Sequence, residues 1–237
     1  MPRVALRRFA TILAASLTVL AAPLAAMPAN ATTLSGTLTV DNAFNAYLST
    51  SASSLGTLLT SGANWGQSFS FSNVALTAGE TYYLNIEAAN IDGPAGFIGS
   101  FGLSGSGFHF ANGRQKLNTG VAHWTGGFNA ATSNLPQSWT SAAGSVVALG
   151  SNGSAPWYSR SGIASTAQWI WPSDSQSSPG TPTNNGGECT NCTVDFQATI
   201  LADKAAPAPV PEPASIAVFA TALAGLAFTL RRRRRLA

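Results

Sequence analysis

The amino-acid sequence predicts an all-β protein: a β-sandwich, jelly-roll-like in its strand order, between an N-terminal signal helix and a C-terminal transmembrane helix. Two observations predict the sandwich. Apolar and polar residues alternate along many short stretches, and glycine and asparagine separate these stretches. A third observation predicts the helices, because each end of the chain carries an apolar run next to arginines. Between the ends no segment keeps the 3.6-residue period of a helix, so we expect about eight or nine short strands.

The N-terminal residues 1–31 have the three parts of a secretory signal peptide. A basic segment (1–8) precedes an apolar run (9–24), and Ala29 and Ala31 are small residues at the two positions that a signal peptidase reads. We expect the Sec translocon and signal peptidase as partners, with cleavage after Ala31 and Ala26 as the alternative. An uncleaved N-terminal anchor is the other interpretation, which Pro23 and Pro28, with small residues around them, disfavour.

The charge of the chain belongs mainly to its ends. The formal net charge is +3, but the signal segment contributes three positive charges and the last 28 residues a net four. The domain between them, residues 32–204, therefore carries a net charge of −4. Most of the basic residues lie in the two membrane-targeting segments and do not form a patch on a folded surface. No nucleic-acid partner is therefore expected.

Strands are predicted in order along this domain, wherever the alternation is clear. They cover residues 34–40, 44–48, 69–71, 82–88, 97–103, 108–110, 146–149, 168–171 and 194–200. Glycine recurs at every third position from Gly93 to Gly105, which we interpret as a strand closely packed by another layer rather than as collagen. Apart from its two strands, the segment 112–172 is expected to be irregular. A polar loop follows at 173–188, and residues 205–209 form an Ala/Pro linker.

The last segment, residues 210–237, combines three parts without interruption. Pro211, Glu212 and Pro213 precede an apolar run at 214–230, which is long enough to cross a bilayer as a helix. The run ends at five basic residues, Arg231, Arg232, Arg233, Arg234 and Arg235. Arginines of this kind stay in the cytoplasm, which places the preceding domain on the far side of the membrane.

This order resembles the PEP-CTERM sorting signal of exopolysaccharide-producing bacteria with two membranes. The resemblance implies an exosortase, an integral-membrane cysteine transpeptidase, as the partner that recognises Pro211, Glu212 and Pro213. It also implies an inner-membrane precursor and a final place at the cell surface or in the extracellular matrix. The alternative is an ordinary C-terminal anchor whose prolines only end a linker.

A second resemblance concerns the domain. The order DNAFNAYL, Trp65, LTAGETYYLNIEAANIDGPAGFIGSF, AQWIW and VDFQATI is similar to jelly-roll modules of the galactose-binding-like kind. It implies carbohydrate binding, with exopolysaccharide as a possible partner, and in some members a structural calcium. No other cofactor is expected. Asp41 and Asn42 either help to hold such a calcium or cap a turn, and turn-capping is favoured.

Trp169, Trp171 and then Trp124 are the candidate sugar-binding residues. Residues two apart on a strand share a face, so Trp169 and Trp171 either offer stacked indoles to sugar rings or belong to the core. The core interpretation is favoured, because Ile170 between them suggests a strand that is covered on both faces.

Cys189 and Cys192 are expected to form a disulfide in an exported protein. The alternative is a Cys2His2 zinc site with His109 and His123, but their spacing is unlike that of zinc fingers, and no metal site is predicted. A thioredoxin-like role needs a helix after the first cysteine, whereas a strand pattern follows here.

No catalytic motif is present, and the carboxylates are too scattered to name a general acid and a base. The sequence therefore predicts a non-enzymatic exported protein, either carbohydrate-associated or purely structural. The alternative is a secreted polysaccharide hydrolase. A cleft with paired carboxylates favours the hydrolase, whereas a shallow aromatic platform favours binding.

Overall fold

The computed structural model describes residues 31–140, 142–173 and 190–204, together with Ala222, Leu223 and Arg231. The described part of the domain begins at Ala31, which is exposed, and belongs to one structural unit. The predicted signal peptide up to residue 30, the linker and the sorting signal otherwise lie outside the described residues. Within the described residues, no helix is long and apolar enough to span a membrane.

Two antiparallel sheets make up the described residues, which confirms the predicted all-β sandwich. Their twelve strands are β1 (Thr33–Asp41), β2 (Ala43–Ser49), β3 (Thr57–Gly62), β4 (Phe69–Ala75), β5 (Tyr82–Asn90), β6 (Gly96–Ser104), β7 (Phe108–Phe110), β8 (Lys116–Asn118), β9 (Thr125–Ala130), β10 (Val146–Ser151), β11 (Gln168–Pro172) and β12 (Cys192–Ala202).

Sheet A has the strand order β10-β11-β6-β1-β4, and β8 also pairs with β6. Sheet B has the order β3-β2-β5-β12-β7, and β9 also pairs with β12. Only the β2–β3 and β10–β11 connections join neighbours within one sheet. All the other connections pass from one sheet to the other, so strands that follow each other in the chain belong to opposite layers.

The core lies between the two sheets, where the apolar members of the alternating strands meet. Leu34, Leu38 and Val40 of β1 are fully buried. The ring centroids of Phe97 in sheet A and Phe196 in sheet B are 5.0 Å apart, so the two layers contact each other face to face. Burial of one such phenylalanine stabilises the fold by up to about 3 kcal/mol, which makes the alternation a sufficient driving force for the sandwich.

The glycine-rich segment is β6, as predicted, and its glycines permit close packing. A Cβ on Gly96 would lie 2.8 Å from the Trp169 ring, and one on Gly99 would lie 3.1 Å from Leu38. A second cluster packs beside β6 and β11, formed by Ile98, Trp157, Ile163, Ala167 and Trp169. The segment 152–167 therefore covers part of sheet A.

Three strands were not predicted. β3 is an edge strand with mostly exposed or half-buried residues, so it shows no apolar alternation. β8 has three residues, and β9 contains the pair Gly126–Gly127. The expectation of an irregular segment at 112–172 is wrong at β8 and β9, because backbone pairing with β6 and β12 orders residues that carry no strand pattern of their own.

Both ends of the domain meet at the β6–β7 turn. The Thr32 hydroxyl donates a hydrogen bond to the Ser106 carbonyl (2.9 Å), and the Asp203 amide donates to the Gly107 carbonyl (2.8 Å). Asp41, at the other end of β1, lies about 27 Å from this turn at the usual rise per strand residue.

Candidate functional site

A cleft lies at the end of the sandwich that is remote from the β6–β7 turn. We call it the Asp41 cleft; it has a volume of about 230 Å³ and is lined by Asp41, Asn42, Trp65, Asp92, Gly93, Pro94, Pro156 and Trp157. These residues come from the end of β1, the β3–β4 loop, the β5–β6 turn and the segment after β10. Four separate parts of the chain therefore build it.

Asp41 is the buried carboxylate of this cleft. It is the last residue of β1 and is 6% exposed. Its Oδ2 accepts a hydrogen bond from the Trp157 indole N–H at 2.8 Å. Burial raises the pKa of Asp41, and Asp92 raises it further, while the Trp157 hydrogen bond and the positive charge of Arg160 oppose the shift.

Asn42 fastens the β5–β6 turn to the end of β1. Its backbone N–H donates to the Ala89 carbonyl at 2.8 Å, and its Oδ1 accepts from the Ile91 N–H at 2.6 Å. This is the capping role that the sequence favoured for Asn42. No group of three or more His, Cys, Asp or Glu side chains that could hold a metal ion occurs within the described ranges.

Arg160 contacts both aromatic residues that line the cleft, Trp65 and Trp157. Its guanidinium carbon lies 5.0 Å from the centroid of the Trp65 ring. One guanidinium nitrogen donates to the Gly66 carbonyl at 2.7 Å, and the other donates to the Trp157 carbonyl. Arg160 therefore ties the β3–β4 loop, which carries Trp65, to the segment that carries Trp157.

The predicted platform of Trp169, Trp171 and Trp124 is wrong, because all three side chains are buried. Trp169 stacks on Trp157 in the second cluster, with ring centroids 4.5 Å apart. Trp171 belongs to the main core and contacts Phe196 edge-on at 5.6 Å. Trp124 packs against Phe97 at 5.1 Å. The physical reason is that both faces of β11 are covered, so the core interpretation of the sequence is confirmed.

Trp65 is an aromatic residue of the cleft that the sequence did not nominate as a site. It is 36% exposed and lies in a loop. The available signal was its setting, because Asn64 and Gly66 are turn residues, whereas Trp169 and Trp171 stand within an apolar strand pattern. Trp157, preceded by Pro156, stands in a similar setting but is 1% exposed, so its place in the cleft follows from the structure alone.

Two carboxylates that looked scattered in the sequence are brought together away from the cleft. Glu87 of β5 and Asp195 of β12 are register partners, and neither is exposed. Glu87 accepts hydrogen bonds from the Gln137 backbone N–H (2.6 Å) and the Tyr47 hydroxyl (3.1 Å). Burial raises the pKa of Glu87, and the same burial with the nearby Glu87 charge raises the pKa of Tyr47 to about 12.

Asp195 carries the larger shift of the two carboxylates. Its Oδ2 accepts from the Asn129 amide (2.8 Å) and from the Thr140 backbone N–H and hydroxyl (3.0 and 3.1 Å). Its Oδ1 is buried without a partner. Burial raises the pKa of Asp195 to about 7, against the effect of these hydrogen bonds. Because the pair is closed to solvent, it anchors residues 129–140 onto sheet B rather than offering an acid and a base to a substrate.

The zinc alternative is also wrong. Cys192 begins β12, whereas His109 pairs with Leu201 near the other end of that strand, about 30 Å away. Zinc ligands must all lie about 2 Å from one ion. His109 instead contacts Asp203, with Nδ1 2.5 Å from Oδ1. Cys192 is disulfide-bonded, while Cys189 lies outside the described residues, so their pairing stays a prediction.

Comparisons with known proteins concern the end of the chain. Residues 209–234 match the family model of the PEP-CTERM protein-sorting motif. No curated protein and no solved structure matches the chain. The matched range contains the predicted Pro211, Glu212 and Pro213, the apolar run and the first four arginines. The chain carries a PEP-CTERM protein-sorting motif, the signal of an exported protein that an exosortase system sorts to the cell surface.

Proposed function

We propose that the protein is a non-enzymatic, carbohydrate-associated component of the cell surface or matrix, and that the Asp41 cleft binds one sugar unit. The observation that carries the proposal is the composition of this cleft. The partly exposed indole of Trp65 stands beside the polar groups of Asp41, Asn42 and Asp92. An indole packs against the apolar C–H face of a sugar ring, and carboxylate and amide oxygens accept hydrogen bonds from sugar hydroxyls.

The size of the cleft supports a single sugar unit. Its volume of about 230 Å³ is below the range of roughly 300–1,000 Å³ that is usual for drug-sized ligands. Arg160 covers one face of Trp65 and holds the indole in place. A wall fixed in this way loses little side-chain entropy on binding.

The proposed route to the surface follows from both ends of the sequence. The Sec translocon exports the chain, and signal peptidase cleaves after Ala31. The apolar run 214–230 holds the precursor in the inner membrane for a time, and an exosortase processes it at Pro211–Pro213. The mature protein is then retained with exopolysaccharide. The match to the sorting motif and the unbroken order of its three parts support this route.

A secreted polysaccharide hydrolase is the second candidate, because Asp41 and Asp92 both line the cleft. Glycosidases use two carboxyl groups that flank the scissile bond. Asp41 is a poor member of such a pair, since it is 6% exposed and its Oδ2 already accepts the Trp157 indole hydrogen bond. The burial of Asp41 counts against hydrolysis, whereas the partly exposed indole of Trp65 still offers a face to a sugar ring.

The test uses the mature protein from the surface fraction of the native host and the exopolysaccharide of the same host. We expect Trp65→Ala to weaken binding about tenfold, the value of one lost aromatic contact. Trp139→Ala is the matched control, because Trp139 is a partly buried tryptophan of the β9–β10 segment whose indole donates to the Ala52 carbonyl and which does not line the cleft. A wild type that binds no polysaccharide would remove the proposal.

The hydrolase is tested in the same samples by the release of reducing ends. We expect none from the wild type. If the wild type releases them and Asp41→Asn and Asp92→Asn each abolish the release, the protein is a hydrolase instead.

A further inference from the structure

The outer face of sheet A carries a field of hydroxyl groups across β4, β1 and β6. Alternation along these strands sends leucine and phenylalanine into the core and short polar side chains outward. We call this surface the hydroxyl face and define it as Thr33, Ser35, Thr37, Ser70, Ser72, Ser100 and Ser104. Each of the seven is exposed or half-buried.

The strand register aligns these hydroxyls in rows across the sheet. Thr37 is the partner of Ser70 on one side and of Ser100 on the other. The Thr37 and Ser70 hydroxyl oxygens are 2.9 Å apart, and those of Thr33 and Ser104 are 2.8 Å apart. Ser104 and Ser100 also accept the backbone N–H groups of Thr33 (3.0 Å) and Ala164 (2.9 Å). Each hydroxyl has one donor and two acceptor sites, so the single mutual bond of Thr37 and Ser70 leaves these two the most capacity for a ligand.

The face contains a shallow depression with a volume of about 350 Å³. Five hydroxyl-bearing residues line it, together with Gly36 and the mostly buried Phe71: Ser35, Thr37, Ser70, Ser72 and Ser100. No acidic or basic side chain belongs to the face, and one lysine, Lys116 of β8, borders it opposite Gly102. The face has no array of charges that could bind a charged polymer, and it has no exposed apolar patch that could bind an apolar partner. A neutral, hydroxylated chain is the ligand that this chemistry suits.

The hydroxyl face and the Asp41 cleft lie at successive positions along β1, and the fully buried Thr39 lies between them. Thr39, the next outward residue of β1, donates a hydrogen bond from its hydroxyl to the Trp65 carbonyl at 3.4 Å. A Cβ on Gly162 would lie 3.2 Å from Thr37, and Gly162 is two residues from Arg160. The loops that form the walls of the cleft therefore also border the hydroxyl face.

We propose that the hydroxyl face is a chain-binding subsite that takes successive units of a neutral polysaccharide whose neighbouring unit occupies the Asp41 cleft. The inference rests on the proposed binding function, because the cleft holds the first unit. It adds a consequence that the cleft alone lacks: affinity rises with the length of the ligand.

The experiment measures binding of the mature host protein to the neutral exopolysaccharide of that host, partially hydrolysed with acid and sorted by size. We expect fragments of six or more sugar units, roughly the length that several hydroxyl contacts require, to bind about tenfold more tightly than disaccharides. Thr37→Val with Ser70→Ala removes two central hydroxyls; valine keeps the shape of threonine, and alanine lacks only the serine oxygen. We expect this double variant to lose the preference for long fragments and to bind disaccharides as the wild type does.

Thr199→Val is the matched control, because Thr199 is a half-buried residue on β12 in sheet B. It should keep the preference for long fragments, and thermal unfolding checks that all variants are folded. Equal affinity of the wild type for short and long fragments, or an unchanged preference in the double variant, overturns the inference and leaves the cleft proposal standing. A wild type that binds no fragment overturns both, and sedimentation that shows self-association blocked by the double variant assigns the face to a second copy.

Discussion

Replacement of Asp195 by asparagine should remove most of the pH dependence of stability between about pH 4 and pH 7. The pKa of this buried carboxyl is raised from 3.8 to about 7. The folded protein therefore binds the proton more tightly than the unfolded chain does. Its contribution to stability is fully present below about pH 4 and is lost as the pH rises through about 7.

The magnitude follows from the size of the shift. A difference of about three pKa units corresponds to about 4 kcal/mol of unfolding free energy, at about 1.4 kcal/mol per unit. Asparagine has nearly the same shape as aspartate, does not titrate, and keeps an oxygen that accepts from Thr140. Glu87 contributes a smaller slope of the same sign, because burial also raises its pKa.

The assay is urea denaturation of the mature protein at a series of pH values from 4 to 8, with Glu80→Gln as the control for the loss of one exposed negative charge. We expect the wild type and the control to lose several kcal/mol over this range, and Asp195→Asn to lose much less. A wild type that becomes more stable as the pH rises, or a variant that keeps the whole slope, would refute the reasoning.

Three further predictions concern packing, the cysteines and sorting. Gly36→Ala should destabilise the domain by about 1–3 kcal/mol in urea denaturation, because its Cβ would lie 2.5 Å from the Phe101 ring and 2.8 Å from the Phe71 ring; an unchanged midpoint contradicts this. Alkylation of freshly secreted, denatured, non-reduced protein should modify neither Cys189 nor Cys192, and two modified thiols would exclude the disulfide. Mass spectrometry of the surface fraction should find a chain that ends near Pro213 and lacks Arg231–Arg235. Replacement of Glu212 and Pro213 should leave unprocessed precursor in the inner membrane. Intact Leu236 and Ala237 at the surface would contradict this prediction.

The strands were predictable wherever one face of a strand meets the core. β1 and β5 show the period of two because their inward residues, such as Leu38 and Leu84, are fully buried. β3 was not predicted from the sequence, because an edge strand with an exposed face needs no apolar residues. Its order comes from backbone hydrogen bonds to the preceding strand, β2, and backbone pairing requires no apolar side-chain pattern.

The site was less predictable than the fold, for a related reason. Trp157 and Asp41 are 116 positions apart in the chain and 2.8 Å apart in space. The pairing of β1, β6 and β11 within sheet A brings them together, and no spacing rule describes such a pair. The same holds for Glu87 and Asp195, whose contact depends on the register of β5 and β12. The sorting motif is contiguous in the sequence, and it was recognised in full.

Thr32 and Asp203 both contact the β6–β7 turn, and we call this end of the domain its base. The opposite end, which carries the Asp41 cleft, is its tip. A chain attached through its C-terminal end is attached at the base, and the Asp41 cleft stands at the tip, about 27 Å farther out along β1. The seven residues from Ala205 to Pro211 add at most about 25 Å of reach. The two ends of the domain are close together. The domain can therefore be inserted into a surface loop of another protein without separating the ends of that loop.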